Sequence, residues 1–113
     1  MEVYWGKCGD DSHWCSFKKL NIDSDGFKDK KGVYIILSGE TVVRVGSGII
    51  KNRIVDHRDN PEIIKYPNLK VTWAKVNANQ MEGVEKYLSD VLSPVIGERF
   101  PDRNPIEVNL PWD

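Results

Sequence analysis

Residues 32–57, GVYIILSGETVVRVGSGIIKNRIVDH, constrain the fold more than any other part of the chain. Two runs in this stretch, residues 33–37 and 41–45, are rich in the β-branched side chains that favour strands. Ser38-Gly39 lies between them and suits the tight turn of a β-hairpin. The sequence therefore predicts an antiparallel pair of strands, and the rest of the chain has to pack around that pair.

A glycine-rich corner and a helix follow the hairpin. Gly46 and Gly48 bracket Ser47, so the backbone either turns sharply there or has another group close to it. A first helix is predicted over residues 49–58. It ends before Pro61, because proline disfavours helical backbone angles in the residue that precedes it.

A third strand and a second helix complete the predicted fold. Residues 69–76 alternate apolar and polar side chains, which is typical of a strand with one buried face, and residues 80–92 form the second helix. The segments 1–31 and 98–113 are an N-terminal extension and an extended C-terminal tail. We expect one domain of 113 residues in the α/β (α+β) class, with a β-β-α-β-α core. Its small, three-stranded, mostly antiparallel sheet is flanked by helices, and both terminal segments pack on it.

The charges of the chain are distributed unevenly. The net charge is −1, which gives no bulk attraction for a polyanion. Residues 28–58 nevertheless carry seven cations against three anions, whereas the segments on either side carry more anions than cations. The seven cations are Lys28, Lys30, Lys31, Arg44, Lys51, Arg53 and Arg58. The basic excess lies on the hairpin and first helix, where a nucleic-acid phosphate could bind.

The N-terminal region carries two cysteines and no targeting signal. It has neither a basic start nor an apolar block, and no apolar run in the chain approaches about 20 residues, so we expect a cytoplasmic protein without a membrane partner. In that compartment a disulfide between Cys8 and Cys15 is not expected. Together with His13 the pair could suggest a metal, but a structural zinc site needs four ligands and the other histidine is the distant His57. We expect the cysteines to pack or to lie in a plain loop.

Glu85 lies on the apolar stripe of the predicted second helix. The stripe consists of Met81, Val84, Leu88, Val91 and Leu92. A carboxylate among core-facing positions is costly unless it has a partner or a metal ion. Glu82 shares a polar face with Lys86 and Ser89, so we interpret Glu82 as solvated and Glu85 as the functional candidate. A buried ion pair with a basic neighbour is the structural alternative.

Arg53 and His57 lie four residues apart on the inner side of the first helix. A lone histidine there is often a hydrogen-bonded structural group, and Arg53 could simply pair with Glu85. Together with Tyr34, however, these residues would suit phosphodiester cleavage. Glutamate can hold a divalent cation, arginine can bind phosphate oxygens, histidine can move a proton, and a tyrosine hydroxyl can assist a water molecule.

The order and motifs of the chain resemble those of the GIY-YIG nuclease domain. That family has the order strand, strand, helix, strand, helix, which residues 32–97 match. Gly-Val-Tyr at 32–34 resembles the first motif, and Arg-Val-Gly at 44–46 occupies the position of the second. The resemblance therefore implies a GIY-YIG-like fold for the core.

The helical positions extend the resemblance. Arg53 matches the arginine of the family's first helix, and His57 is similar to the histidine of its restriction-type members. Glu85 precedes Pro94 by nine residues and matches the metal-binding glutamate of a Glu-x8-Pro pattern. That spacing excludes Glu82, in agreement with the apolar stripe.

The resemblance implies a role for each of these residues. Tyr34 acts as the base for the attacking water or orients it, and Arg53 stabilises the phosphate in the transition state. Glu85 binds one Mg²⁺ or Mn²⁺, and His57 helps in proton transfer or holds the tyrosine. We assign contacts with the nucleic acid, most simply DNA, to Arg44, Lys51, Ser47 and Arg58.

Two positions depart from the family's pattern. Arg44 stands where the second motif normally has tyrosine, and arginine cannot act as a base, so a mechanism that needs two tyrosines is excluded. Gly97 stands where many members have asparagine after the proline, so a second polar contact is missing there.

Three functions are compatible with these features. The leading hypothesis is a metal-dependent endonuclease acting on DNA. We expect the chain to be too short for a separate DNA-binding domain, so the enzyme would recognise nucleic-acid structure or rely on a homodimer or a partner protein for specificity. A non-catalytic nucleic-acid-binding module is the second, and Arg44 favours it. The third is a protein-interaction module in which Arg53 and Glu85 form only an ion pair.

Overall fold

The computed structural model describes residues 1–8, 14–97 and 102–113. In these residues the chain forms a compact α+β fold with a four-stranded antiparallel sheet and three helices. The elements are β1 (Cys15–Ser16), β2 (Lys31–Ser38), β3 (Thr41–Ile49), α1 (Ile50–Arg58), α2 (Pro61–Ile64), β4 (Leu69–Lys75) and α3 (Met81–Leu92). The predicted α+β class is confirmed.

The sheet has the strand order β1-β4-β2-β3, with all neighbours antiparallel. The expected number of three strands is wrong, because Cys15–Ser16 of the N-terminal extension pairs with β4. A two-residue strand is too short to show an alternating pattern in the sequence. The hydrophobic strand β2 lies in the centre, and β3 lies at the edge of the sheet.

The hairpin is confirmed, with Gly39 in the left-handed region at φ +58° in its turn. The predicted corner after it is not a turn. β3 continues through the glycines to Ile49, which pairs with Lys31 of β2. The alternative expectation, that another group lies close to the backbone at these glycines, is the one that applies: the Tyr34 ring lies against Gly46 and the Arg53 side chain against Gly48.

Helices cover both faces of the sheet. One core lies under α1 and α2 and is built mainly from Phe17, Phe27, Ile36, Ile50, Ile54 and Ile63. The other lies under α3 and includes Val3, Val33, Ile35, Val45, Val84, Leu88 and Val108. Because side chains alternate along a strand, neighbouring residues of β2 supply the two cores in turn.

The short helix α2 was not predicted, because Pro61 was interpreted only as the end of α1. Proline is also favoured in the first turn of a helix, where its missing N–H has no intrahelical acceptor. The Asn60 side chain caps this new helix by accepting a hydrogen bond of 3.0 Å from the backbone N–H of Glu62.

The terminal segments bind each other beside the α3 core. The Asn109 side chain accepts a hydrogen bond from the backbone N–H of Val3 at 2.7 Å and donates one to the Val3 carbonyl at 3.0 Å. The Trp5 indole donates to the Asn109 carbonyl at 2.9 Å. One asparagine thus joins the first residues of the chain to its tail.

The expectation for the two cysteines is wrong. Cys8 and Cys15 form a disulfide, with their Cα atoms 4.9 Å apart. The pairing of β1 with β4 holds Cys15 in the sheet, and the distance between the two Cα atoms lies in the range that a disulfide requires. His13, the third member of the metal alternative, lies outside the described residues.

Within the described ranges, no helix has the length and apolar character that crossing a membrane would require.

Candidate active site

Tyr34 and His57 form a hydrogen-bonded pair between the sheet and α1. The Tyr34 side chain comes from the central strand and is only 2% exposed, and its hydroxyl lies 2.6 Å from Nε2 of His57 in the last turn of α1. Gly46 is directly opposite Tyr34 on β3, and a Cβ atom at that position would overlap the phenol. Glycine at 46 therefore provides the space that the phenol occupies.

Both members of this pair are uncharged at neutral pH. Burial and the positive charges of Arg44 and Arg53 together lower the pKa of His57 to about 4, with burial the largest cause. Burial raises the pKa of Tyr34, although the same two arginines oppose the shift. When the neutral imidazole carries its proton on Nδ1, Nε2 accepts the hydrogen of the Tyr34 hydroxyl. His57 is then a base with its acceptor nitrogen directed at the tyrosine.

Glu85 projects from α3 toward the edge strand and is 8% exposed. Its Oε1 accepts a hydrogen bond of 2.6 Å from the Ser47 hydroxyl. Burial raises the pKa of Glu85, whereas the hydrogen bond from Ser47 and the charges of Arg44 and Arg53 oppose the shift. The functional candidate on the apolar stripe is therefore buried, as predicted, and its main partner is a neutral hydroxyl.

Arg53 is attached to the same residue of the edge strand. Its Nε donates to the Ser47 carbonyl at 3.1 Å, and its guanidinium lies against Gly48, which has φ +132°. The backbone angle at position 48 favours glycine, and a Cβ atom there would lie 2.8 Å from Arg53 Nε, so the arginine would have to move. A cavity of about 480 Å³ opens beside Arg53 and Gly48, with Asn52 and Met81 also in its wall.

Ser47 thus connects the two helices across the edge of the sheet. Its carbonyl binds Arg53 of α1 and its hydroxyl binds Glu85 of α3. The ion pair between Arg53 and Glu85 that we considered as a structural alternative is not formed, although both residues are described. Ser47 was predicted to contact nucleic acid; its position between the two charged side chains was not predicted.

Arg44 is the second guanidinium of the cluster. It lies on β3 opposite Ile36, half-buried, and its charge acts on Tyr34, His57 and Glu85. Its buried Nε has no hydrogen-bond partner. Every other fully buried side-chain nitrogen or oxygen in the described part of the chain has one.

Lys51 and Arg58, the other two predicted contacts with nucleic acid, do not join the cluster. The Lys51 ammonium pairs with Asp23 at 2.9 Å. Arg58 donates to the carbonyls of Phe17 and Leu20 at 3.0 and 2.7 Å. Both side chains bind the N-terminal extension, because they project from α1 in directions different from that of Arg53.

The donor set of the site is small. Among residues 1–8, 14–97 and 102–113, no three His, Cys, Asp or Glu side chains lie close enough together to hold a metal ion. Glu82 is exposed, as predicted, and it binds Arg103 at 2.7 Å rather than the site. Glu85 is therefore the carboxylate of the cluster, and its Oε2 accepts no hydrogen bond from the described residues. One carboxylate can suffice for Mg²⁺ or Mn²⁺, because Mg²⁺ keeps several waters and takes further oxygens from substrate phosphates.

The spacing of the sequence motifs therefore selected side chains that the fold places together. Tyr34, Arg44, Arg53, His57 and Glu85 come from two strands and two helices and influence one another's charge state. The sequence did not show that Gly46 and Gly48 provide space for the tyrosine and arginine, although the unusual glycine spacing was a signal.

No family model, no curated protein and no solved structure matches this chain.

Proposed function

We propose that this protein is a GIY-YIG-type endonuclease that hydrolyses phosphodiester bonds in DNA with the help of one divalent cation. The observation that carries the proposal is the Tyr34–His57 hydrogen bond beside Arg53 and Glu85. The family motifs predicted these four side chains as a group, although Tyr34 and Glu85 lie 51 residues apart in the sequence (85 − 34). A neutral base, a phosphate-binding cation and a carboxylate are the groups that phosphodiester hydrolysis requires.

The Tyr34–His57 pair activates the attacking water. His57 is uncharged well below neutral pH, so Nε2 can accept the phenolic proton while the Tyr34 oxygen accepts a proton from water. The proton of the water thus replaces that of the tyrosine, and the net result is an imidazolium and a hydroxide directed at phosphorus. Arg44 does not act in this step, because it has no accessible basic form.

Arg53 binds the phosphate on which this hydroxide acts. The bond from Nε to the Ser47 carbonyl fixes its orientation, and its two Nη groups donate to no acceptor in the described residues. A planar fork of N–H donors suits the non-bridging oxygens as negative charge accumulates in the transition state.

Glu85 would hold Mg²⁺ or Mn²⁺ through its carboxylate, with water and phosphate oxygens as the other ligands. When bound, that ion supplies positive charge to the phosphate and to the leaving oxygen. Because its pKa is raised, Glu85 takes up a proton at higher pH than an ordinary glutamate, so metal binding and activity should weaken as pH falls.

The experiment that tests this function is nicking of supercoiled plasmid at low salt with Mn²⁺ and then Mg²⁺. The wild type is compared with Glu85→Gln and with Glu82→Gln, a matched control on the same helix whose partner is the exposed Arg103. We expect nicking by the wild type and by Glu82→Gln, and none by Glu85→Gln or in the presence of a chelator. Equal nicking by all three proteins would indicate a contaminant and would count against the proposal.

A non-catalytic nucleic-acid-binding module is the second candidate, and Arg44 in place of the second tyrosine favours it. It predicts salt-sensitive binding without product and without dependence on metal. The third candidate, an interaction module built on an Arg53–Glu85 ion pair, loses its main support because that pair is not formed.

We further propose that the protein acts in the cytoplasm on DNA and that a homodimer or a partner protein supplies specificity. In a reducing compartment the Cys8–Cys15 disulfide would be opened, so thiol labelling of protein taken directly from cells tests the location. Labelling of both cysteines supports a cytoplasmic location, and protection of both contradicts it.

A further inference from the structure

Arg44 differs from the other arginines whose contacts the structure describes. Arg58 has carbonyl acceptors for Nε and Nη2, Arg103 has the Glu82 carboxylate, and Arg53 has the Ser47 carbonyl. Nε of Arg44 is buried and has no acceptor. Buried donors without a partner are rare, because their lost hydration is not replaced.

Among the described residues, Arg44 has no anion as a direct partner. The described groups whose ionisation its charge influences are Tyr34 and His57, both neutral, and the carboxylate Glu85. Glu85 already accepts the Ser47 hydroxyl, and Arg53 adds a second positive charge to the same groups. Within the described part of the chain, two guanidiniums and one carboxylate therefore leave the cluster with an unbalanced cation. Arg44 is assigned a side-chain hydrogen bond with Tyr34, but its Nε–H has no acceptor.

We propose that the half-buried side chain of Arg44 reorients when nucleic acid binds, so that its Nε–H, which has no acceptor in the free protein, donates to a non-bridging oxygen of a phosphodiester. Arg44 and Arg53 then belong to one anion site that holds the strand before any metal ion binds. The inference takes its ligand, a DNA phosphodiester, from the proposed function. In this proposal residue 44, where the family's second motif normally has tyrosine, binds phosphate and takes no part in proton transfer. It also accounts for an energetically unfavourable feature of the free protein, since the ligand supplies the missing acceptor.

The test follows the Arg44 Nε–H by NMR while a single strand of eight thymidines is added in the presence of EDTA. The matched probe is the same strand with neutral methylphosphonate linkages. We expect the charged strand to shift the Arg44 resonance downfield and the neutral strand to leave it in place. The Arg58 resonance, whose donors are already bound, should not move with either strand.

Affinity is measured in parallel by fluorescence anisotropy with the labelled charged strand. Loss of a charge-assisted hydrogen bond should weaken binding about 10- to 100-fold in Arg44→Gln, and Arg44→Lys should also bind more weakly because it keeps the charge but lacks the Nε–H. Lys65→Gln, which removes one exposed charge paired with Glu62, is the control and should change affinity less than about 3-fold.

Thermal unfolding separates a binding role from a structural one. Removing a buried donor without an acceptor should leave the melting temperature of Arg44→Gln unchanged or raise it. The inference is overturned if the Arg44 resonance does not move, if Arg44→Gln and Lys65→Gln lose affinity equally, or if Arg44→Gln unfolds at a much lower temperature.

These outcomes are independent of cleavage. A shift of the Arg44 resonance in a protein that never nicks DNA would support the anion site and reject the endonuclease. Nicking by a protein whose Arg44 chemical shift does not change when the strand is added would reject the anion site alone.

Discussion

The lowered pKa of His57 predicts how the stability of the protein depends on pH. In the unfolded chain His57 takes up a proton near its ordinary pKa of 6.5, whereas in the folded protein it does so at about 4. Between these values the unfolded state binds more protons than the folded state. Stability attributable to His57 is therefore complete above about pH 6.5 and is lost progressively as pH falls toward 4.

The magnitude follows from the two pKa values. Lowering the pH from 8 to 5 changes the free energy of unfolding by at most 1.36 kcal/mol times the logarithm of (1 + 10^1.5)/(1 + 10^−1), which is about 2 kcal/mol. His57 is only partly buried, so solvent screening reduces this figure. The raised pKa of Glu85 acts in the opposite direction, since a carboxyl that holds its proton more tightly when folded is stabilised by acid. The contribution of Glu85 is common to the wild type and His57→Gln, so comparing these two proteins removes it.

The assay is urea unfolding at pH 8 and at pH 5, with His57→Gln beside the wild type. We expect the wild type to lose about 1–2 kcal/mol more than His57→Gln over this interval. In a His13→Gln background His57 is the single histidine, so NMR titration reports its pKa directly. Titration near 6.5, or an equal loss in both proteins, would refute the description of His57 as a buried neutral base.

Three further changes test the surroundings of the site. Ser47→Ala removes the hydrogen bond that lowers the pKa of Glu85, so the acid limb of the cleavage rate should move to higher pH, and an unmoved limb would contradict this role. Gly46→Ala inserts a Cβ into the phenol of Tyr34 and should lower the free energy of unfolding by about 1–3 kcal/mol or more in denaturant titrations; wild-type stability would contradict the close approach. Asn109→Ala removes both side-chain hydrogen bonds to the N-terminal segment and should cost about 1–3 kcal/mol, with faster amide exchange there, whereas unchanged exchange would argue against that link.

The sequence predicted those parts of the fold that depend on local patterns. The β2–β3 hairpin followed from two β-branched runs around Ser38-Gly39, and α3 followed from its apolar stripe. The two-residue strand β1 left no pattern to detect, and the N-terminal position of Pro61 in α2 has the same appearance in the sequence as the end of α1. The glycines of β3 were interpreted as a corner because the large side chains that lie against them come from other elements.

The candidate site was predictable to a similar extent. Tyr34 and His57 could be placed together because a motif fixes their spacing on a strand and a helix. Lys51 and Arg58 were assigned by local charge, and their partners lie in an N-terminal segment without periodicity, so nothing in the sequence indicated that they bind there. The disulfide was not predicted because it depends on the pairing of the N-terminal segment with β4, and no pattern in the sequence indicates that pairing.

The most direct test of the proposed mechanism is the initial rate of plasmid nicking in Mn²⁺ by the wild type and by Tyr34→Phe. This substitution removes the hydroxyl that binds His57 and preserves the buried ring. A wild type that nicks, and a Tyr34→Phe protein that is folded but slower by about 100-fold or more, are the predicted results. A wild type without activity, or a Tyr34→Phe protein that nicks at the wild-type rate, would contradict a hydrolytic site built on Tyr34 and His57.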